Sequence, residues 1–211
     1  MRRIVVWVTL AGVAAVAAAA VYLAWDLDWR WRPRTLSHRT DEIARALNEA
    51  GWVSPGLTGP AVYIVVHRDC APCEALQADL TPKLQAAEVD TRFVAVAPPD
   101  RAGQTRSTPA ERATVAELWT NRSWKLFQEW TLAPAAAWTA PGVPPADGDA
   151  ARTAVVEASR RFAASLKTDL AANGVAFAYP MLIWQVSDGR WRACACVSPR
   201  SYAFVAKDLG A

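Results

Sequence analysis

Six consecutive apolar residues, Ala61-Val62-Tyr63-Ile64-Val65-Val66, lead within three residues into Cys70-Ala71-Pro72-Cys73. A β-branched and aromatic run with no polar alternation reads as a strand buried on both faces, so helices must cover the sheet on either side. The residues after the cysteines, with Ala75, Leu76 and Leu80 at helical spacing, predict a helix that Pro82 kinks or restarts. This places Cys70 at a helix N-terminus, where unpaired backbone N–H groups and the macrodipole favour a thiolate. Cys73 lies one turn further in, at a spacing that lets both sulfurs meet in one disulfide and lets the second thiol resolve a mixed disulfide formed by the first.

The rest of the chain alternates accordingly. Residues 40–50 carry Ile43, Ala44, Leu47 and Ala50 on one helical face, with Gly51 after them. A second strand is expected over 91–97, and a loop over 98–107. Thr108-Pro109-Ala110-Glu111 forms a capping box with proline at the first helical position, and helical character continues to Trp130. Residues 133–150 read as irregular, 151–172 as a long helix ended by Gly174, and 181–186 and 190–197 as strands of a hairpin. If Asp188-Gly189 is a two-residue hairpin loop, Cys194 faces Ile183 and Cys196 faces Met181. Ser198-Pro199 opens a last helix to Leu209. The fold class is α/β, a mixed sheet flanked by helices, with a helical insertion over about 98–175.

From Ile4 to Trp25 no residue is charged. That length in a helix matches the ~30 Å hydrocarbon core, and Tyr22, Trp25, Trp29 and Trp31 suit a membrane interface. Residues 1–25 are therefore expected to be a signal anchor, or a signal peptide cleaved near Ala18-Ala19-Ala20. Residues 26–59 would form a juxtamembrane linker and short helix, and 60–211 the main domain. A single apolar span excludes a multi-pass membrane protein. A net charge of +3 with 20% charged residues excludes both a disordered polyelectrolyte and a basic nucleic-acid binder. Four cysteines are too few for a disulfide scaffold, so they point to local chemistry in an exported, oxidising setting.

Over residues 60–209 the chain resembles the thioredoxin-fold thiol–disulfide oxidoreductases, and among them the bacterial periplasmic DsbC/DsbG-like group. The likeness rests on Cys70-Ala71-Pro72-Cys73 after a hydrophobic strand, on Ala178-Tyr179-Pro180-Met181-Leu182-Ile183, and on Asp188-Gly189 before the last strand and helix. The resemblance implies a thioredoxin-like sheet, Cys70 as nucleophile and Cys73 as resolving thiol. It implies a cis Pro180 beside the disulfide, with the Tyr179 backbone positioning an extended partner segment. It further implies protein thiols or disulfides as substrates, a membrane redox partner, no cofactor, and a bacterial inner-membrane anchor with the domain in the periplasm (or a free periplasmic protein after cleavage). Oxidase, reductase and isomerase share this constellation. Tyr179 departs from the threonine or valine usual in the family, and the separate dimerisation domain of the isomerases has no counterpart.

Around the pair, His67, Arg68 and Pro72 are candidates for tuning Cys70, with Asp69 opposing; the alternative is a solvated strand end. Cys194-Ala195-Cys196 has three readings: two small buried residues, a second redox pair or relay with Cys70, or a Cu(I) or Zn site together with the CxxC. No histidine cluster accompanies the last reading, since His38 and His67 stand apart. Trp119, Trp124 and Trp130 are expected to pack the insertion. Phosphate loops, Ser-His-Asp ordering and HExxH are absent from the sequence.

Overall fold

A computed structural model describes the backbone of residues 2–211, and side chains from residue 12 onward except at position 27. The chain divides into a unit ending at Arg32 and a second unit spanning Pro33–Ala211. In the first, α1 (Arg2–Leu27) is followed by a 3₁₀ turn at Trp29–Trp31. The stretch Gly12–Trp31 is long and apolar enough to cross a membrane by length and composition. Its described apolar side chains, Val13, Val16, Val21, Tyr22, Leu23 and Trp25 among them, are exposed. Asp26 closes the helix by pairing with Arg30 at 2.6 Å and by accepting the Trp31 indole N–H on its carbonyl. The side chains of Arg2, Arg3 and residues 4–11 of the apolar run lie outside the described residues.

The second unit is built on one six-stranded mixed sheet. In chain order its strands are β1 (Arg34–Thr35), β2 (Trp52–Val53), β3 (Ala61–Val66), β4 (Asp90–Ala95), β5 (Met181–Gln185) and β6 (Trp191–Ala195). Their spatial order is β1-β6-β5-β3-β4-β2. Only β3 and β4 run parallel. The central strand β3 divides its side chains between two cores: Val62, Ile64 and Val66 on one face, Tyr63 and Val65 on the other. This is why its sequence shows no polar alternation.

Helices cover both faces. On the Tyr63 side lie α2 (Thr40–Glu49), through Ile43 and Leu47, and α7 (Ala150–Ala171), through Phe162, Leu166 and Leu170. On the Val62 side lie α3 (Ala71–Asp79), α4 (Thr81–Ala86), α6 (Trp124–Leu132) and α8 (Tyr202–Leu209). Helix α5 (Pro109–Asn121) completes the insertion, and its Trp119 reaches both cores and donates its indole N–H to the Ala95 carbonyl at 2.7 Å. Gly51 leaves room for that ring: a Cβ there would lie 2.4–2.6 Å from Trp119 atoms, backbone included. The insertion thus holds α5, α6 and α7 between β4 and β5, as its sequence pattern predicts.

Three expectations need correction, and the alternative left open at Pro82 is decided. Residues 33–59, read as a linker and short helix, also supply both edge strands, β1 and β2. Helical character does not run unbroken from Thr108 to Trp130: Arg122 adopts φ 51° and Ser123 caps a new helix by accepting the Leu126 amide at 3.2 Å. Pro82 marks a restart, because α3 ends at Asp79 and α4 begins at Thr81. The hairpin register is shifted by one. Gly189, at φ 85°, donates to the Val186 carbonyl, and Val186 donates to Arg190, so the loop holds three residues instead of two. Cys194 therefore faces Leu182, and Cys196 falls opposite Pro180, to whose carbonyl it donates at 3.1 Å. A one-residue slip exchanges the faces of a strand, so both cysteines lie on the Val62 side and not with Ile183 and Met181.

Candidate active site

Four residues separate the end of β3 from α3, and they turn sharply at Asp69, whose φ is 54°. Cys70 then takes the N-cap position with extended backbone, and its carbonyl accepts the amides of Cys73 (2.8 Å) and Glu74 (3.1 Å). Pro72 stands in the first turn, where its missing N–H would have had no helical partner. Cys70 and Cys73 are joined as a disulfide with their Cα atoms 5.2 Å apart. Cys70 is 6% exposed and Cys73 2% exposed, so an incoming sulfur reaches the first before the second. On reduction, the field of the α3 N-terminus acts on the Cys70 sulfur and favours its thiolate.

The Tyr179–Pro180 peptide is cis, and it precedes β5 directly. Because Val65 pairs with Met181, Pro180 sits level with the end of β3, where the chain departs toward Cys70. The Tyr179 ring stands edge-on to His67 (4.7 Å between centroids) and to Phe177 (5.0 Å). Burial pushes the Tyr179 phenol up to about 12, so it stays protonated and neutral. Burial also holds His67 below the ordinary histidine value, against the bond of its Nδ1 with the Arg68 carbonyl; Arg106 lowers it further and Asp69 raises it. His67 is thus a neutral ring beside the pair.

Arg68 is committed elsewhere. Its guanidinium donates to the carbonyls of Trp130 and Ala133, at the C-terminus of α6, and lies over the Trp130 ring at 5.4 Å. Desolvation lowers its basicity, offset by Glu111, Glu74 and Asp69. The same crowding raises the Glu111 carboxyl, chiefly through burial. Arg68 therefore ties the β3–α3 loop to the end of α6. Between them opens a cavity of about 300 Å³, lined by His67, Arg68, Cys70, Cys73, Trp130 and Leu132 among others. Leu132 is 85% exposed at its rim, an apolar side chain held in solvent next to the disulfide.

The residues singled out in the sequence do come together: His67, Arg68, Cys70, Pro72 and Cys73 share one loop and helix start, and Tyr179 and Pro180 meet them from across the sheet. Cys194 and Cys196 form a second disulfide, with Cα atoms 5.1 Å apart, in the same core cluster as Cys70 and Cys73. Three contributors were missed. Arg106, in the 98–107 loop, acts on both His67 and Tyr179, and its amide is held by Asp100 at 3.0 Å. Leu132 and Phe177 likewise sit where only the folded chain shows them. Among the described residues, no group of three or more His, Cys, Asp and Glu is arranged to hold a metal ion. Compared with known proteins, the chain matches no protein-family model and no curated protein sequence.

Proposed function

We propose that this chain is a thiol–disulfide oxidoreductase of thioredoxin-like fold, exchanging disulfides with protein substrates through Cys70 and Cys73. The observation that carries the reading is the Cys70–Cys73 disulfide at the N-terminus of α3, next to the cis Tyr179–Pro180 bond at the end of the central strand. In the reducing direction the Cys70 thiolate attacks a substrate disulfide, one substrate sulfur leaves as a thiolate, and a mixed disulfide forms. The Cys73 thiolate then attacks the Cys70 sulfur, closing the internal disulfide and releasing the second substrate thiol; oxidation is the reverse. The backbone at Tyr179 and the cavity edged by Leu132 would seat an extended substrate segment, by strand-like contacts and apolar burial. The apolar N-terminal helix would serve as an inner-membrane anchor, and we place the domain in the periplasm, where disulfides persist and a membrane redox partner could recycle the pair. The DsbC/DsbG-like group, whose helical insertion the stretch between the CxxC and Pro180 resembles in sequence, is the subgroup we favour.

The test is reduction of insulin disulfides by the full-length chain with dithiothreitol as electron source. Wild type should accelerate the reaction and Cys70→Ser should not. A Cys70→Ser chain with wild-type activity would refute the mechanism.

A further inference from the structure

The mechanism above leaves the Cys194–Cys196 disulfide without a role, and its placement suggests one. Strands β3 and β6 both pair antiparallel with β5, so they point the same way; Cys70 follows the C-terminal end of β3 by four residues, and Cys194 and Cys196 lie at the C-terminal end of β6. Beyond the Val65–Met181 pair, the next row of the sheet runs from the end of β3 through Pro180 to Cys196, whose amide donates to the Pro180 carbonyl at 3.1 Å. Both disulfides belong to the core cluster on a single face. The 3₁₀ turn Pro199–Ser201 that follows β6 packs against α3, the helix of the first pair.

A staple is a poor account of this bond. A disulfide stabilises mainly by shortening the unfolded chain's loop, and one spanning a single intervening residue closes the shortest of loops. Cys194 is 6% exposed, the same as Cys70, and Cys196 is 0% exposed, so this pair is buried at least as deeply as the first. The sulfur neighbours within the same buried cluster are those of the first pair.

We propose that Cys194–Cys196 is a second exchange-active disulfide that passes electrons to and from the Cys70–Cys73 pair, so that each chain stores two disulfide equivalents. This rests on the reading of Cys70 as an exchanging nucleophile. In the relay, the Cys70 thiolate attacks one sulfur of the Cys194–Cys196 bond, which breaks and releases the other sulfur as a thiolate. The Cys73 thiolate then attacks Cys70 in the mixed disulfide, forming Cys70–Cys73 and freeing the second thiolate. One dithiol is oxidised and one disulfide reduced, with no further reactant.

Trypsin separates the two pairs, because residues 69–83 and 193–200 lie on different peptides. Full-length Cys73→Ser, reoxidised so that its remaining bond can form, should yield a peptide of 69–83 linked through Cys70 to 193–200, lost on reduction. In parallel, fully reduced wild type and Cys70→Ser are exposed to oxidised glutathione and each peptide is scored by alkylation. Wild type should oxidise both pairs, and Cys70→Ser should lose oxidation of Cys194–Cys196. Absence of the linked peptide, or oxidation of Cys194–Cys196 at the wild-type rate in Cys70→Ser, overturns the relay while leaving exchange at Cys70–Cys73 standing. A wild-type Cys70–Cys73 pair that stays reduced in oxidised glutathione overturns the proposed function and the relay with it.

Discussion

Replacing Arg68 with alanine should cost about 2.5 kcal/mol, and the structure supplies the terms. Two charge-assisted hydrogen bonds to the Trp130 and Ala133 carbonyls are lost, at about 1.5 kcal/mol each. The guanidinium stacked over Trp130 adds about 0.5 kcal/mol. Against this, the buried Arg68 Nε has no hydrogen-bond partner, and its removal returns about 1 kcal/mol. Urea unfolding of the oxidised full-length chain in detergent, followed by tryptophan fluorescence, reads the difference as a shift in midpoint at unchanged slope. Arg68→Lys should recover about half of the loss, since an ammonium cannot serve both carbonyls with a planar fork. Because α6 lines the cavity beside Cys70, insulin reduction should slow in Arg68→Ala even where the protein is fully folded. A loss below about 0.5 kcal/mol, or a lysine variant as unstable as the alanine one, would refute the assignment of Arg68 as the tie between loop and helix.

Further expectations follow from single contacts. Thr108→Ala removes the half of the capping box in which the Thr108 hydroxyl accepts the Glu111 amide at 3.1 Å, leaving the 2.7 Å bond from the residue-108 amide to the Glu111 carboxylate, and should cost about 1 kcal/mol in the same unfolding assay. Gly51→Ala places a methyl against the backbone and ring of Trp119 and should destabilise by about 1–3 kcal/mol. His67 is held below its ordinary value by burial, so the unfolded chain binds its proton first as pH falls. Its contribution is therefore complete above the ordinary histidine value of ~6.5 and declines below it; wild type should lose more stability than His67→Gln between neutral and mildly acidic pH. Equal slopes for the two would contradict that sign.

What could be read before folding was whatever depends on local pattern. The unbroken apolar run of β3, the cysteine spacing at the start of α3 and the Thr108–Glu111 box each state their structure in a few adjacent residues. The two-residue strands β1 and β2 could not be read, because a pair of residues has no periodicity and each is a strand only by virtue of its neighbour, β6 or β4. The hairpin register turned on one glycine: Gly189 at positive φ extends the loop to three residues, and that choice alone moved Cys194 and Cys196 to the face shared with Cys70. Arg68 looked like a modulator of Cys70 by sequence adjacency. Its carbonyl partners lie more than sixty residues away, and no local signal connects them. Arg106 escaped notice for the same reason, since its loop is placed beside Tyr179 by the sheet.

The central claim is that Cys70 is the exchanging nucleophile, and covalent capture tests it most directly. The fully reduced variant with Cys73, Cys194 and Cys196 all replaced by serine, freed of reductant and mixed with insulin, keeps no second thiol that could resolve the intermediate. The account predicts a reducible insulin adduct that maps to Cys70 in the peptide of residues 69–83. No adduct on that peptide would contradict it.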